Sequence, residues 1–375
     1  MLSFRKSRQA NFELLRIFAM VLIVTQHFVG ATGLLEQPSG IMLYAARFMY
    51  SFTYCCVDIF VLITGFFYRK ENSPSGISLA KPAEKGSLLW LKLIFYSWLV
   101  FFVAVVCLHQ KPSANLIVET AIPFTCKAYW FFSAYILLLF IQPFLDKLIN
   151  KITTKEHLIA VGLILLFVCL PSTFFPYNWL ADTLEGFSIF WFVCLYFIGA
   201  YIKRVFDKLN KNKFLDLALY FASGALIFIY FIVSRYLCEK LSISDMSLRI
   251  FRYSSIPVLA EAIFIFLFFA KVNIKRARIS KLILTCSGTT FSVYLLECCE
   301  IKSYWLALFS VENIGSLCEF AIKMLIYIPV TFVSFTIIAF IISLVTDKLF
   351  IRISRIIGAY IAKLEKILNL MIFRQ

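Results

Sequence analysis

The feature that most constrains this chain is a succession of apolar runs, each about twenty residues long, separated by short segments in which the basic residues collect. At 1.5 Å per residue, a helix of that length crosses about 30 Å of hydrocarbon with some tilt. Ten such runs are expected near 12–33, 50–68, 88–108, 128–149, 157–176, 187–202, 214–234, 255–270, 282–304 and 322–346. Only 15% of the residues are charged and 61% are hydrophobic. A water-soluble fold needs roughly a quarter of its residues charged, so most of this surface faces lipid. The fold class that follows is an all-α integral membrane protein.

The net charge of +16 does not point to nucleic acid, because Lys and Arg form short clusters rather than a stripe interleaved with stacking aromatics. Counted by loop, 26 of the 37 basic residues fall on one side of a ten-helix path, in the segments around Arg5–Arg8, Arg69–Lys85, Lys147–Lys155, Lys203–Lys213, Lys271–Lys281 and Lys348–Arg374. That asymmetry predicts both termini on the cytoplasmic side. The first run contains Glu13, Arg16 and His27 and has no small-residue cleavage site, so it reads as a span rather than a signal peptide. No Gly-, Ser- or Pro-rich linker divides residues 1–375, which read as a single domain with no internal repeat. The stretch 350–372 alternates apolar residues with Arg352, Arg355, Lys363 and Lys366 and reads as an amphipathic interfacial helix. The 11 cysteines lack metal-ligand spacing, so neither a disulfide nor a metal is expected.

Ionisable residues at membrane depth each cost about 2.5–3.5 kcal/mol on insertion scales, so their placement carries functional information. Arg16 and His27 are eleven residues apart, three helical turns plus about 20°, which puts both on one face with His27 displaced about 16–17 Å. Glu13, at i−3, is placed to pair with Arg16. In the second run, Asp58 falls at the depth of His27, and Thr64 and Gly65 at that of Arg16, where a glycine allows close approach of a ligand or of another helix. The same reckoning places Glu261 and Glu297 in the His27 layer. A histidine beside carboxylates has the raised basicity and set orientation of a general base. The plainer roles are a snorkelling arginine and polar contacts between helices.

Glu13-Leu-Leu-Arg16 followed by His27, then Val57-Asp58-Ile-Phe-Val-Leu-Ile-Thr64-Gly65-Phe, resembles the membrane acyltransferase-3 family, whose members O-acylate surface polysaccharides and related acceptors. Tyr129-Trp130 through Pro143 is similar to the family's fourth-helix pattern, and Thr290 through Glu297 to its late aromatic-Leu-Leu segment, with Glu297 where histidine is common. The resemblance implies transfer of an acyl group, acetyl by default, from cytoplasmic acyl-CoA to a hydroxyl of a glycan or lipid-linked sugar, by a multi-pass protein of the bacterial plasma membrane. It implies Arg16 on the donor side and His27 as the catalytic residue, assisted by Asp58. Where the family has an Arg-rich stretch after the second helix, this chain offers Arg69, Lys70, Lys81 and Lys85, with Lys92 in the third helix; Arg16, Gly65, Arg69, Lys70 and Lys85 form the expected donor site. Acceptor contacts are expected from Glu261, Glu297, Tyr294 and Trp130, with Trp179, Trp191, Arg235, Arg249 and Arg252 as further outer residues. The alternative is a transporter or flippase for a lipid-linked sugar, which calls for broken helices and inverted repeats.

Overall fold

A computed structural model of the chain describes residues 9–70, 77–107, 109, 111–125, 129–175, 184–299, 301–311 and 314–372. Among them there are only helices and no strand. In chain order the α-helices are α1 (Ala10–Ala31), α2 (Ile41–Ser51), α3 (Cys56–Phe66), α4 (Ala80–Phe102), α5 (Ala114–Ala121), α6 (Trp130–Lys151), α7 (Thr154–Ile164), α8 (Leu170–Phe174), α9 (Ile189–Val205), α10 (Lys213–Lys240), α11 (Ile256–Ala270), α12 (Ala277–Ser287), α13 (Thr290–Glu297), α14 (Ile301–Leu308) and α15 (Leu317–Ile372). Nine segments of the described residues are long and apolar enough to cross a membrane, and α11, with 15 residues, is the shorter apolar helix at the expected eighth position. This is the all-α membrane protein that the apolar runs call for.

Several boundaries differ from the sequence reading, among them those of the second, third and tenth runs. The second run was expected as one helix over 50–68, but it begins at Ile41 and breaks at residues 52–55 into α2 and α3. Ser51 Oγ donates to the Phe48 carbonyl (2.7 Å) and Thr53 Oγ1 to that of Tyr50 (3.0 Å), bonds that compete with the helical ladder. The third run starts at Ala80, so Lys81 and Lys85 lie on α4 instead of in a loop. The C-terminal segment is not a separate helix: α15 runs unbroken for 56 residues, about 84 Å. No Gly or Pro stands between residues 330 and 357 to end it, and Thr346 donates to the Ile342 carbonyl within the ladder (3.0 Å).

The chain forms two compact units, each discontinuous in sequence. Met1–Phe67, Thr154–Thr290 and Tyr304–Ser334 make the first; Tyr68–Thr153, Phe291–Ser303 and Phe335–Gln375 make the second. In the first unit α1 packs on α3, α11 and α12, α3 packs on α9, and α10 packs on α11 and α2. Phe12 stands within 5.2 Å of Phe66 and 5.6 Å of Phe266, measured between ring centroids, which joins α1, α3 and α11. The α3–α9 contact is a backbone crossing. A Cβ on Gly65 would run into the Tyr196 carbonyl, and one on Gly199 would lie 2.5 Å from the Leu62 carbonyl. Asp58 meets Trp191 further along the same two helices, so α3 and α9 run parallel, as the second and sixth spans of an alternating path must.

In the second unit α4 packs on α5 and α6. Lys92 on α4 pairs with Asp347 on α15 (2.9 Å), and Phe95 lies 5.7 Å from Phe350. Glu365, far along α15, accepts from Ser78 Oγ (2.9 Å) and from the Leu79 N–H (2.5 Å). These contacts give the charged tail of α15 polar partners at the start of α4.

Gly199→Val is expected to destabilise the protein by about 1–3 kcal/mol through overpacking at the crossing. Gly30 on α1 has open space around it, and Gly30→Ala should be neutral or stabilising by up to about 1 kcal/mol. Thermal unfolding of the detergent-solubilised protein checks the pair; equal effects would argue against the crossing.

Candidate active site

Two fully buried carboxylates of the first unit lie on α3 and α11, helices that pack on each other and on α1. Asp58 sits in the first turn of α3, close behind the break at 52–55, so its carboxylate faces the positive end of a helix dipole. It is fully buried. Its Oδ1 accepts a hydrogen bond from the Trp191 indole N–H of α9 (3.0 Å), and its Oδ2 has no hydrogen-bond partner among the described residues. Glu261 on α11 is also fully buried, within electrostatic reach of Asp58 and against the Cys55 thiol. Neither oxygen of Glu261 has a partner of hydrogen-bond geometry among the described residues.

His27 is half-buried near the C-terminal end of α1. Its neighbour Gln26 is buried and accepts a hydrogen bond through Oε1 from Cys56 Sγ (3.2 Å). Cys56 stands two residues before Asp58, so this bond ties the turn that carries His27 to the turn that carries Asp58. Eleven residues earlier, Arg16 pairs with Glu13, as their i, i+3 spacing suggests. Asn11 donates to the carbonyls of Phe269 (3.2 Å) and Ala270 (3.1 Å), and so caps the last turn of α11.

Gly65 needs a correction. It was expected to open space for a donor molecule, but the space a side chain would occupy is filled by the Tyr196 backbone of α9. Its smallness serves the helix crossing.

The remaining donor-side residues belong to the second unit. Arg69 and Lys70 are exposed, and the Arg69 carbonyl accepts from Asn150 Nδ2 (2.8 Å). Lys85 is exposed and donates to the Tyr135 hydroxyl (3.1 Å). Tyr135 in turn stacks on Phe131, with ring centroids 5.7 Å apart. In that unit too, Tyr294 lies between Phe131 and Phe291, and its hydroxyl has no hydrogen-bond partner among the described residues. Trp130 opens α6 edge-on to Phe131 (6.1 Å). Glu297 closes α13, fully buried, at the helix end where the dipole disfavours a carboxylate. Of the residues placed in the His27 layer, Asp58 and Glu261 belong to the first unit and Glu297 to the second.

The outer residues sort by partner. Arg252 donates to the carbonyls of Ser172 and Phe175 (3.1 Å each), and Arg249 to that of Phe174 (3.4 Å), so both hold the end of α8. Trp179 lies outside the described residues. Trp191, expected among the outer residues near the acceptor, is fully buried as the partner of Asp58. The sequence reading missed this pairing, and it missed Arg47, which it placed in a loop; Arg47 is buried on α2. A charged residue within the apolar segment 41–51 was the available signal.

The family model described as an acyltransferase domain, of the acyltransferase-3 type, matches residues 9–345. The chain belongs to that family, and its apolar helices make it a multi-pass membrane acyltransferase. No curated protein and no solved structure matches it.

Trp191→Phe removes the only donor to Asp58 among the described residues and is expected to destabilise the protein by about 1–3 kcal/mol. In an Asp58→Leu background the same substitution should have little effect. A double-mutant cycle on unfolding free energies measures the difference, and additive effects would sink the pairing.

Proposed function

We propose that this acyltransferase moves an acyl group, acetyl by default, from cytoplasmic acyl-CoA to a hydroxyl of a glycan or lipid-linked sugar, with His27 as general base. The observation that carries this reading is the bond from Cys56 Sγ to Gln26 Oε1, which sets the His27 turn beside the Asp58 turn while Asp58 Oδ2 is left without a partner among the described residues.

In the proposed sequence His27 takes the proton of the acceptor hydroxyl. The resulting alkoxide attacks the thioester carbonyl, the C–S bond breaks as the tetrahedral intermediate collapses, and the departing thiolate takes the proton back from the imidazolium. Asp58 stabilises that imidazolium, and its indole bond and helix N-terminus hold the carboxylate in place. An acyl-histidine intermediate is the covalent variant. Arg16 is assigned to the donor side, with Glu13 orienting its guanidinium. Arg69, Lys70 and Lys85 are proposed as contacts for the CoA phosphates on charge and exposure. Glu261 is proposed near the acceptor, and Glu297, Tyr294 and Trp130 remain proposed acceptor contacts. The broken second span also suits the transport alternative. In the acyltransferase reading the same break supplies the helix N-terminus beside Asp58.

Membranes containing the full-length protein, supplied with labelled acetyl-CoA, should transfer label to glycan. His27→Ala should lower transfer by about 10²–10⁴-fold, the typical contribution of a general base. Equal incorporation by both forms would overturn the mechanism.

A further inference from the structure

Arg47 and Arg235 both lie against one aromatic ring in the first unit. The Arg47 guanidinium carbon is 5.6 Å from the centre of the Phe231 ring, and that of Arg235 is 6.0 Å from the same centre. Phe251 covers Arg47 from a second direction at 5.4 Å. Arg47 is 9% exposed, and its Nε has no hydrogen-bond partner among the described residues. Arg235 is half-exposed. Neither forms an ion pair with a described carboxylate. The carboxylate that acts on Arg47 electrostatically is Asp245, whose Oδ1 accepts from the Ser247 N–H (2.8 Å).

Two guanidinium groups without an ion-pair partner among the described residues, against one ring, repel each other, and a buried arginine in a membrane protein is costly unless something answers its charge. The ring faces and two loop carbonyls answer it in part: Arg47 donates to Leu35 (3.0 Å) and Arg235 donates to Pro38. Both carbonyls belong to the connection between α1 and α2, which is exposed over residues 36–41. An anion arriving from that side meets the half-exposed Arg235 first. It replaces neutral carbonyl acceptors by a charged one, and charge-assisted bonds are roughly twice as strong as neutral ones. The planar fork of each guanidinium suits a carboxylate or phosphate.

The position of the pair gives the anion an identity. Arg47 is one turn from Tyr50 on α2, Tyr50 faces Gln26, and Gln26 adjoins His27. The loop-by-loop count of basic residues places this end of α1 on the outer side. We propose that Arg47 and Arg235 form an anion subsite for the acceptor, so that the glycan acylated at His27 carries a carboxylate or a phosphate group close to the reacting hydroxyl. The assignment of the anion to an acceptor rests on the acyltransferase mechanism given above; the anion site itself does not.

The test is binding of small probes to the purified full-length protein in lipid nanodiscs, read as a shift in thermal unfolding at constant ionic strength. Sodium glucuronate, inorganic phosphate and glucose serve as probes. Glucuronate or phosphate should stabilise the wild type, and glucose should not. A response to glucuronate alone assigns the anion to an acidic sugar, and a response to phosphate alone assigns it to the phosphate of a lipid-linked carrier. Arg47→Gln and Arg235→Gln should each weaken the responding probe about tenfold. Should Arg47→Gln fail to fold, Arg47→Lys and Arg235→Gln carry the same test, since lysine keeps the charge and loses the fork. His27→Ala should bind the probe as the wild type does while losing acyl transfer, which separates this site from the mechanism. No shift with either anion, or variants that bind like the wild type, would overturn the proposal.

Discussion

In hydrocarbon every backbone N–H and C=O must find a partner inside the protein, and the first unit depends on how it meets that demand at one interruption. The second span breaks at residues 52–55, and a break exposes carbonyls. Tyr220 of α10 donates its hydroxyl to the Phe52 carbonyl (2.7 Å), and Gly224, one turn further along α10, leaves room for the Phe52 ring. With the break satisfied in this way, α3 begins anew at Cys56 and presents a helix N-terminus in the interior. Asp58 uses it. A carboxylate at that depth in an unbroken helix would have neither the dipole nor the neighbouring Cys56–Gln26 bond.

The polar interior is built from few bonds. Asp58 keeps one described donor, Glu261 keeps none with hydrogen-bond geometry, and both are fully buried. Unanswered polar oxygens cost about 1–3 kcal/mol each, more when charged, so a fold holds them only where packing over-determines their positions. The Gly65–Gly199 crossing and the Phe12 ring cluster supply that packing. Strain of this kind concentrates where a site must receive another molecule.

Hydropathy made the architecture legible: the apolar runs are helical, and the family expected from Arg16, His27 and Asp58 is the family the chain belongs to. Helical periodicity also anticipated the Arg16–Glu13 pair. What was not legible depends on contacts between distant segments. Gly65 reads equally well as an opening for a ligand or as a packing notch until α9 is placed against it. Trp191 reads as an outer residue near the acceptor until its N–H meets Asp58 across 133 positions of sequence. The unbroken length of α15 was hidden because composition changes at residue 350 while backbone geometry does not. Arg47 was overlooked for a related reason, since the apolar window was started nine residues too late.

The parallel run of α3 and α9 makes the glycine crossing a fulcrum. Gly65 lies seven residues beyond Asp58 and Gly199 eight beyond Trp191, so the contact that sets helix spacing is about two turns, roughly 11 Å, from the hydrogen bond it supports. A methyl group at the fulcrum wedges the two axes apart, and a 3.0 Å bond at the other end has little slack to absorb the spread. The orientation of the carboxylate is thereby governed at positions that never approach a substrate. Any graft of this site onto another helical frame must carry the glycine notch along with the acid and the indole.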